Sequence, residues 1–139
     1  MTAKEFLSQA YVLDQRIQAK MRQIADLRAL ASTVNGFASN EPVVQTRDVT
    51  GLQSAVARII EEEQVLNEEI DALVEARQQI REVIDRLPDP MMCLILERRY
   101  LLFENWEKIS ADLTYSERWI YERHRQALEL VEGILNDAA

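Results

Sequence analysis

Eleven positions from Leu52 to Leu87 follow one another in alternating steps of four and three residues without a break. They are Leu52, Val56, Ile59, Glu63, Leu66, Ile70, Leu73, Arg77, Ile80, Ile84 and Leu87. Such spacing keeps one helical face in line, whereas a strand needs a period of two. The segment is therefore expected to be a single long helix, with Thr50 as its N-cap. Glu61, Glu62, Glu68, Glu69, Asp71 and Glu75 surround the stripe as a solvated face. Glu63 and Arg77 fall on the seam itself. They either fix register at some cost in stability or reach water by their stems at the rim.

A second repeat of the same kind precedes it. From Ala3 to Val34 one set is Ala10, Ile17, Ile24 and Ala31. The interleaved set is Phe6, Leu13, Lys20, Leu27 and Val34, with Met21 and Leu30 widening the stripe. A helix of this length extends roughly 45 Å. Asn35 and Gly36 are expected to end it, since glycine takes the left-handed conformation of a helix stop. Phe37 to Thr50 shows no periodicity and carries Ser, Asn, Pro and Thr. It reads as a connector, or as a contact segment placed between two helices.

Two long helices joined by a loop imply an antiparallel helical hairpin over residues 1–87, with the loop at about 35–50. The width of the first stripe leaves further apolar surface to cover, which a homodimer forming a four-helix bundle would do. Three Gly and three Pro in 139 residues is sparse punctuation, so the fold class expected is all-α.

Leu87-Pro88-Asp89-Pro90 interrupts the second helix, and residues 88–139 are expected to form a separate small bundle. Pro90 suits the first turn of a helix capped by Asp89. Met92, Leu94, Ile95, Leu96, Leu101 and Leu102 make this helix largely buried, with Phe103 and Glu104 as connector. Asn105 caps a second short helix, Trp106 to Leu113, facing inward through Trp106, Ile109 and Leu113. Thr114 and Tyr115 turn the chain. Ser116 caps a third helix to about Leu135, facing inward through Ile120, Ala127, Leu128 and Val131. A short helix, a turn and a longer amphipathic helix form a helix-turn-helix.

The strings Leu96-Glu97-Arg98-Arg99-Tyr100-Leu101, Trp106-Glu107-Lys108-Ile109-Ser110, Tyr115-Ser116-Glu117-Arg118-Trp119-Ile120-Tyr121 and Arg125-Gln126-Ala127-Leu128 resemble the fourth conserved region of primary sigma factors. Together with the opening Met-Thr-Ala-Lys-Glu-Phe-Leu-Ser-Gln-Ala-Tyr, Leu13-Asp14-Gln15-Arg16-Ile17 and Ala25 to Ala31, they make the chain similar to the ArpU-type phage transcriptional regulators. The resemblance spans nearly the whole chain. It implies promoter DNA as partner, read by the last helix, and RNA polymerase as a further partner. Thr114 stands where such turns usually carry Gly, which suggests a wider turn, since a non-glycine residue in the left-handed region costs about 1 kcal/mol or more.

In a helix-turn-helix the start of the second helix enters the major groove. Its outward face would be Glu117, Arg118, Tyr121, Glu122 and Arg125. Arginine can pair with the guanine edge and glutamate can accept from cytosine. Arg123, Lys108 and Ser116 are placed for phosphates. Trp119 either packs inward or lies on the DNA backbone. His124 lacks a carboxylate, Ser or Cys partner at motif spacing and reads as a surface or interface residue. Cys93, among Met91, Met92, Leu94 and Ile95, reads as a buried small apolar residue.

Charge limits the DNA reading. The chain carries a formal net charge of −8. From Pro88 to Ala139 six Lys/Arg stand against ten Asp/Glu, a net of −4. General binding to nucleic acid rests on cations displacing counterions, so contact must come from a local face. A protein-interaction adaptor acting on RNA polymerase is the alternative, and a phage packaging DNA-recognition subunit a weaker one. No phosphate loop, nucleophile constellation or metal spacing is present, so neither enzyme activity nor a cofactor is expected. The longest apolar run, Met91 to Leu96, is far short of a membrane span, and a cytoplasmic protein is expected.

Overall fold

Thr2 and Glu5 set the first helix. The Glu5 N–H donates to Thr2 Oγ1 at 3.2 Å and the Thr2 N–H reaches back to Glu5 Oε2 at 3.5 Å, a capping box that satisfies two free donors. The structure, a computed structural model, describes residues 1–38 and 45–138. It contains α1 (Ala3–Ala38), α2 (Gln45–Asp85), α3 (Pro90–Leu96), a π-helical turn (Glu97–Leu101) that continues α3, α4 (Trp106–Leu113) and α5 (Glu117–Ala138). The fold is all-α, with no strand among the described residues.

Both long helices extend further than their sequence signals suggest. The expected stop at Asn35-Gly36 is not used, because α1 continues to Ala38. The expected cap at Thr50 is likewise internal, because α2 begins at Gln45. An interior glycine costs a helix only about 1 kcal/mol, and adding a residue to an existing helix is far easier than nucleating one. Of the expected connector, residues 39–44 lie outside the described residues.

By its internal contacts the chain divides into two units. One joins Met1–Leu13 to Ala72–Ala139, and the other is Asp14–Asp71. The first unit thus takes in the start of α1 and the end of α2, on the N-terminal side of the expected boundary at 87/88.

The first unit has two apolar clusters. The larger brings Phe6, Leu7 and Ala10 of α1 against Ile80 and Ile84 of α2, Leu96 of α3, Tyr100 and Leu101 of the π turn, and Ala127 and Val131 of α5. The smaller is built on Ile95, Ile109 and Ile120, one isoleucine from each of α3, α4 and α5, all with no exposed surface. Burying such a side chain contributes about 1.5–3 kcal/mol relative to leaving it in water. The expected inward faces of α4 and α5 are the ones used.

Asp89 caps α3 as expected, its Oδ1 accepting from the Met91 N–H at 2.9 Å, with Pro90 in the first turn. The π turn was not legible in the sequence. In it the Leu102 N–H donates to the Glu97 carbonyl at 3.1 Å, five residues back. The wider turn lets Tyr100 and Leu101, adjacent in sequence, both face the core. Phe103 follows with φ 58° and is more than a connector, because it packs on the larger cluster.

The second unit is more thinly covered. Among its described side chains Ile17 and Ile24 are the buried apolar ones, while Met21, Leu30, Val56, Ile60, Val65 and Ile70 are exposed. Arg16 pairs with Glu69 at 3.2 Å and Lys20 with Glu62 at 2.5 Å. Arg28 pairs with Glu63, which thereby takes the rim position. Later positions of α1 thus meet earlier positions of α2 within this unit.

Candidate nucleic-acid interface

The turn between α4 and α5 is held by caps on both sides. Asn105 Oδ1 accepts from the Lys108 N–H at 2.8 Å and opens α4. Ser116 Oγ accepts from the Trp119 N–H at 3.1 Å and opens α5. Both caps are the residues expected. Between them Thr114 adopts φ 62°, ψ 31°, the left-handed region. The expectation of a wider turn is therefore corrected. Thr114 accepts the strain in place of glycine, its N–H donating to the Ser110 carbonyl and its hydroxyl donating to the Leu113 carbonyl at 2.6 Å. Ser110 Oγ donates across the same turn to the Tyr115 carbonyl at 2.5 Å, tying the end of α4 to the chain that enters α5.

The candidate residues do not present one uniform basic face. Ser116, Glu117 and Arg118 are exposed at the start of α5. Arg118 makes no ion pair among the described residues. Tyr121 is exposed but leans on Trp106, edge to face with centroids 5.1 Å apart. Arg125 is held on both sides, by Glu122 and by Glu129, each at 2.6 Å. The hydrogen bond from Arg125 holds the Glu122 carboxyl below its usual range. Arg123 reaches back to Asp89 at 3.7 Å and covers the Trp119 ring at 5.0 Å. Lys108 is loosely held by Glu104 at 3.9 Å. Trp119 takes the packed alternative, stacked on Tyr115 at 3.9 Å and against the isoleucine cluster.

One sequence reading needs revision. His124 is not a surface residue. It is half-buried, with Nε2 2.6 Å from the Tyr100 hydroxyl and its ring edge-on to Trp106 at 4.7 Å. Burial, then the charges of Lys4 and Arg99, push its pKa down to about 4, so it is neutral at pH 7. The signal was present in the sequence, since Ile120, His124, Ala127 and Val131 step by four, three and four along the inward face of α5. The Arg98 side chain pairs with Glu104 at 2.6 Å and with Asp112, pinning the connector to α4. The hydrogen bond from Arg98 holds the Asp112 carboxyl low. Cys93 is half-buried, its thiol donating to the Ile84 carbonyl at 3.2 Å, and burial raises its pKa.

Among the described residues no Cys, His, Asp and Glu side chains gather as a metal site. No described helix is long and apolar enough to cross a membrane. Compared with family models, curated proteins and solved structures, the chain matches none.

Proposed function

We propose that this chain is a phage or prophage transcriptional regulator that binds promoter DNA through α4, the turn at Thr114 and α5, with RNA polymerase as a further partner. The observation that carries the reading is the start of α5. There Ser116, Glu117, Arg118 and Tyr121 are exposed on a helix whose entry is fixed by two caps. A helix presented in this way suits the major groove. Resemblance to sigma-factor region four and to the ArpU-type regulators supports the same assignment.

Within this reading Arg118 is the principal base-contacting side chain. Lys108 and Arg123 serve phosphates, and Arg125 contributes once its glutamate partners release it. With about three phosphate contacts, log K against log salt should have a slope of about −3 or shallower. Arg118→Ala together with Arg125→Ala should abolish the specific band shift on a cognate promoter with helicity unchanged. A retained shift would refute the assignment.

A second reading is favoured by the glutamates around Arg125 and by the excess of acidic over basic residues along α5. Here the domain is an adaptor that binds RNA polymerase without strong DNA binding. Pull-down of polymerase by the double variant at wild-type levels, together with no DNA selection by the wild type, would favour the adaptor.

The exposed Met21, Val56, Ile60 and Ile70 also support homodimerisation through residues 14–71. Sedimentation equilibrium at micromolar concentration should show a dimer, and a monomer would remove that proposal.

A further inference from the structure

In the first unit a cavity of about 330 Å³ opens beside the start of α1, the π turn and α5. Its size falls in the range of small-molecule sites. Aromatic rings form much of the wall. Tyr11 meets Phe103 edge to face at 5.6 Å, and Trp106 stands edge-on to His124. The buried Tyr100 and its hydrogen bond to His124 form another side.

Two cations share this lining with no carboxylate among them. Lys4 and Arg99 both line the cavity, and neither makes an ion pair among the described residues. In a chain of net charge −8, two unpaired cations facing one concave site is a local reversal of sign. Arg99 is also positioned. Its guanidinium lies 4.7 Å from the Trp106 ring centre, and one nitrogen donates to the Glu104 carbonyl at 3.0 Å. Further N–H donors remain on the guanidinium. Burial depresses the pKa of the adjoining His124, and the charges of Lys4 and Arg99 add to that shift.

We propose that this cavity binds a small organic anion with a flat aromatic body, of the aryl carboxylate class. The ring packs between Tyr11 and Trp106, and the carboxylate meets Arg99 and Lys4. A planar guanidinium matches a carboxylate with paired hydrogen bonds, and the aromatic walls exclude water from them. The inference stands whether or not α5 contacts DNA.

The test is titration of the full chain with naphthoate, followed by NMR of the backbone amides. Saturable shifts at Arg99, Trp106 and His124, with Kd on the order of 1 mM or tighter, are expected. Naphthamide and acetate should not saturate the site, since each lacks one half of the recognition. Arg99→Gln should weaken naphthoate about tenfold through loss of a charged hydrogen bond. Lys4→Gln, at an exposed position, should weaken it severalfold with an unchanged melting temperature, and it carries the charge test if Arg99→Gln unfolds. Absence of saturable shifts, equal binding of naphthamide, binding of inorganic phosphate as tight as naphthoate, or wild-type affinity in Lys4→Gln would each overturn the proposal.

Discussion

The two units spend similar apolar sequence in different ways. In Met1–Leu13 with Ala72–Ala139, Leu7, Ile80, Ile95, Leu96, Leu101, Ile109, Ile120 and Val131 are fully buried. In Asp14–Asp71 the heptad stripes bury Ile17 and Ile24 and leave Met21, Leu30 and Val56 in water, along with Ile60 beside the stripe. A heptad stripe specifies which face of a helix is apolar but not how many partners will cover it. Covering needs elements from several directions, which the first unit obtains from five helical segments. The second unit relies on pairs such as Arg28–Glu63 between two helices. Surface pairs of this kind contribute only about 0–1 kcal/mol each.

Substitution at the two kinds of site should expose the contrast. Leu96→Ala, or Ile95→Ala, should destabilise the protein by about 2–5 kcal/mol in urea unfolding, because each leaves a cavity in a closed core. Ile60→Ala in the second unit should cost under about 1 kcal/mol at concentrations where the chain is monomeric. Equal losses at the two sites would erase the distinction.

Acid should act mainly on the first unit through His124. Its folded pKa of about 4 lies below the ordinary value of 6.5, so the unfolded chain binds the proton more readily. Stability from this residue is therefore full above pH 6.5 and declines as pH falls toward 4. The melting temperature should drop over that window in the wild type, and the drop should be smaller in His124→Gln, where carboxylates alone titrate. Identical profiles would mean that His124 is not held neutral in the fold.

Thr114→Gly should raise stability by about 1 kcal/mol, since glycine enters the left-handed region without the Cβ penalty. The same change at Phe103, also at positive φ, should not help, because Phe103 packs on the core and against Tyr11. The smallest effect belongs to the second unit. Arg28→Ala, at the exposed Arg28–Glu63 pair, should change stability by about 0–1 kcal/mol, diminishing with added salt.

What the sequence disclosed follows from the range of the interactions involved. Caps at Asp89, Asn105 and Ser116 act within three residues, and their side chains name themselves. The apolar faces of α4 and α5 repeat within a turn or two and were equally visible. Helix ends at Gly36 and Thr50 were misplaced because a local stop signal competes weakly with an already formed helix. The π turn at Glu97–Leu101 has no spacing of its own in the sequence, as it is selected by the need to bury both Tyr100 and Leu101. His124 was misread because its partners, Tyr100 and Trp106, come from other segments, although its place on the inward face of α5 could have flagged it. The pairing of Arg125 with two glutamates was implicit in three- and four-residue spacing, but its consequence for DNA contact emerges only with both pairs formed.

The most direct measurement is selection of duplex DNA from a random pool by the full chain at one stated salt concentration, repeated with Arg118→Ala. A promoter-reading α5 predicts one enriched motif for the wild type and relaxed preference at one base position in the variant. No enriched motif for the wild type, or an unchanged motif in Arg118→Ala, would contradict the proposed use of α5 in DNA recognition.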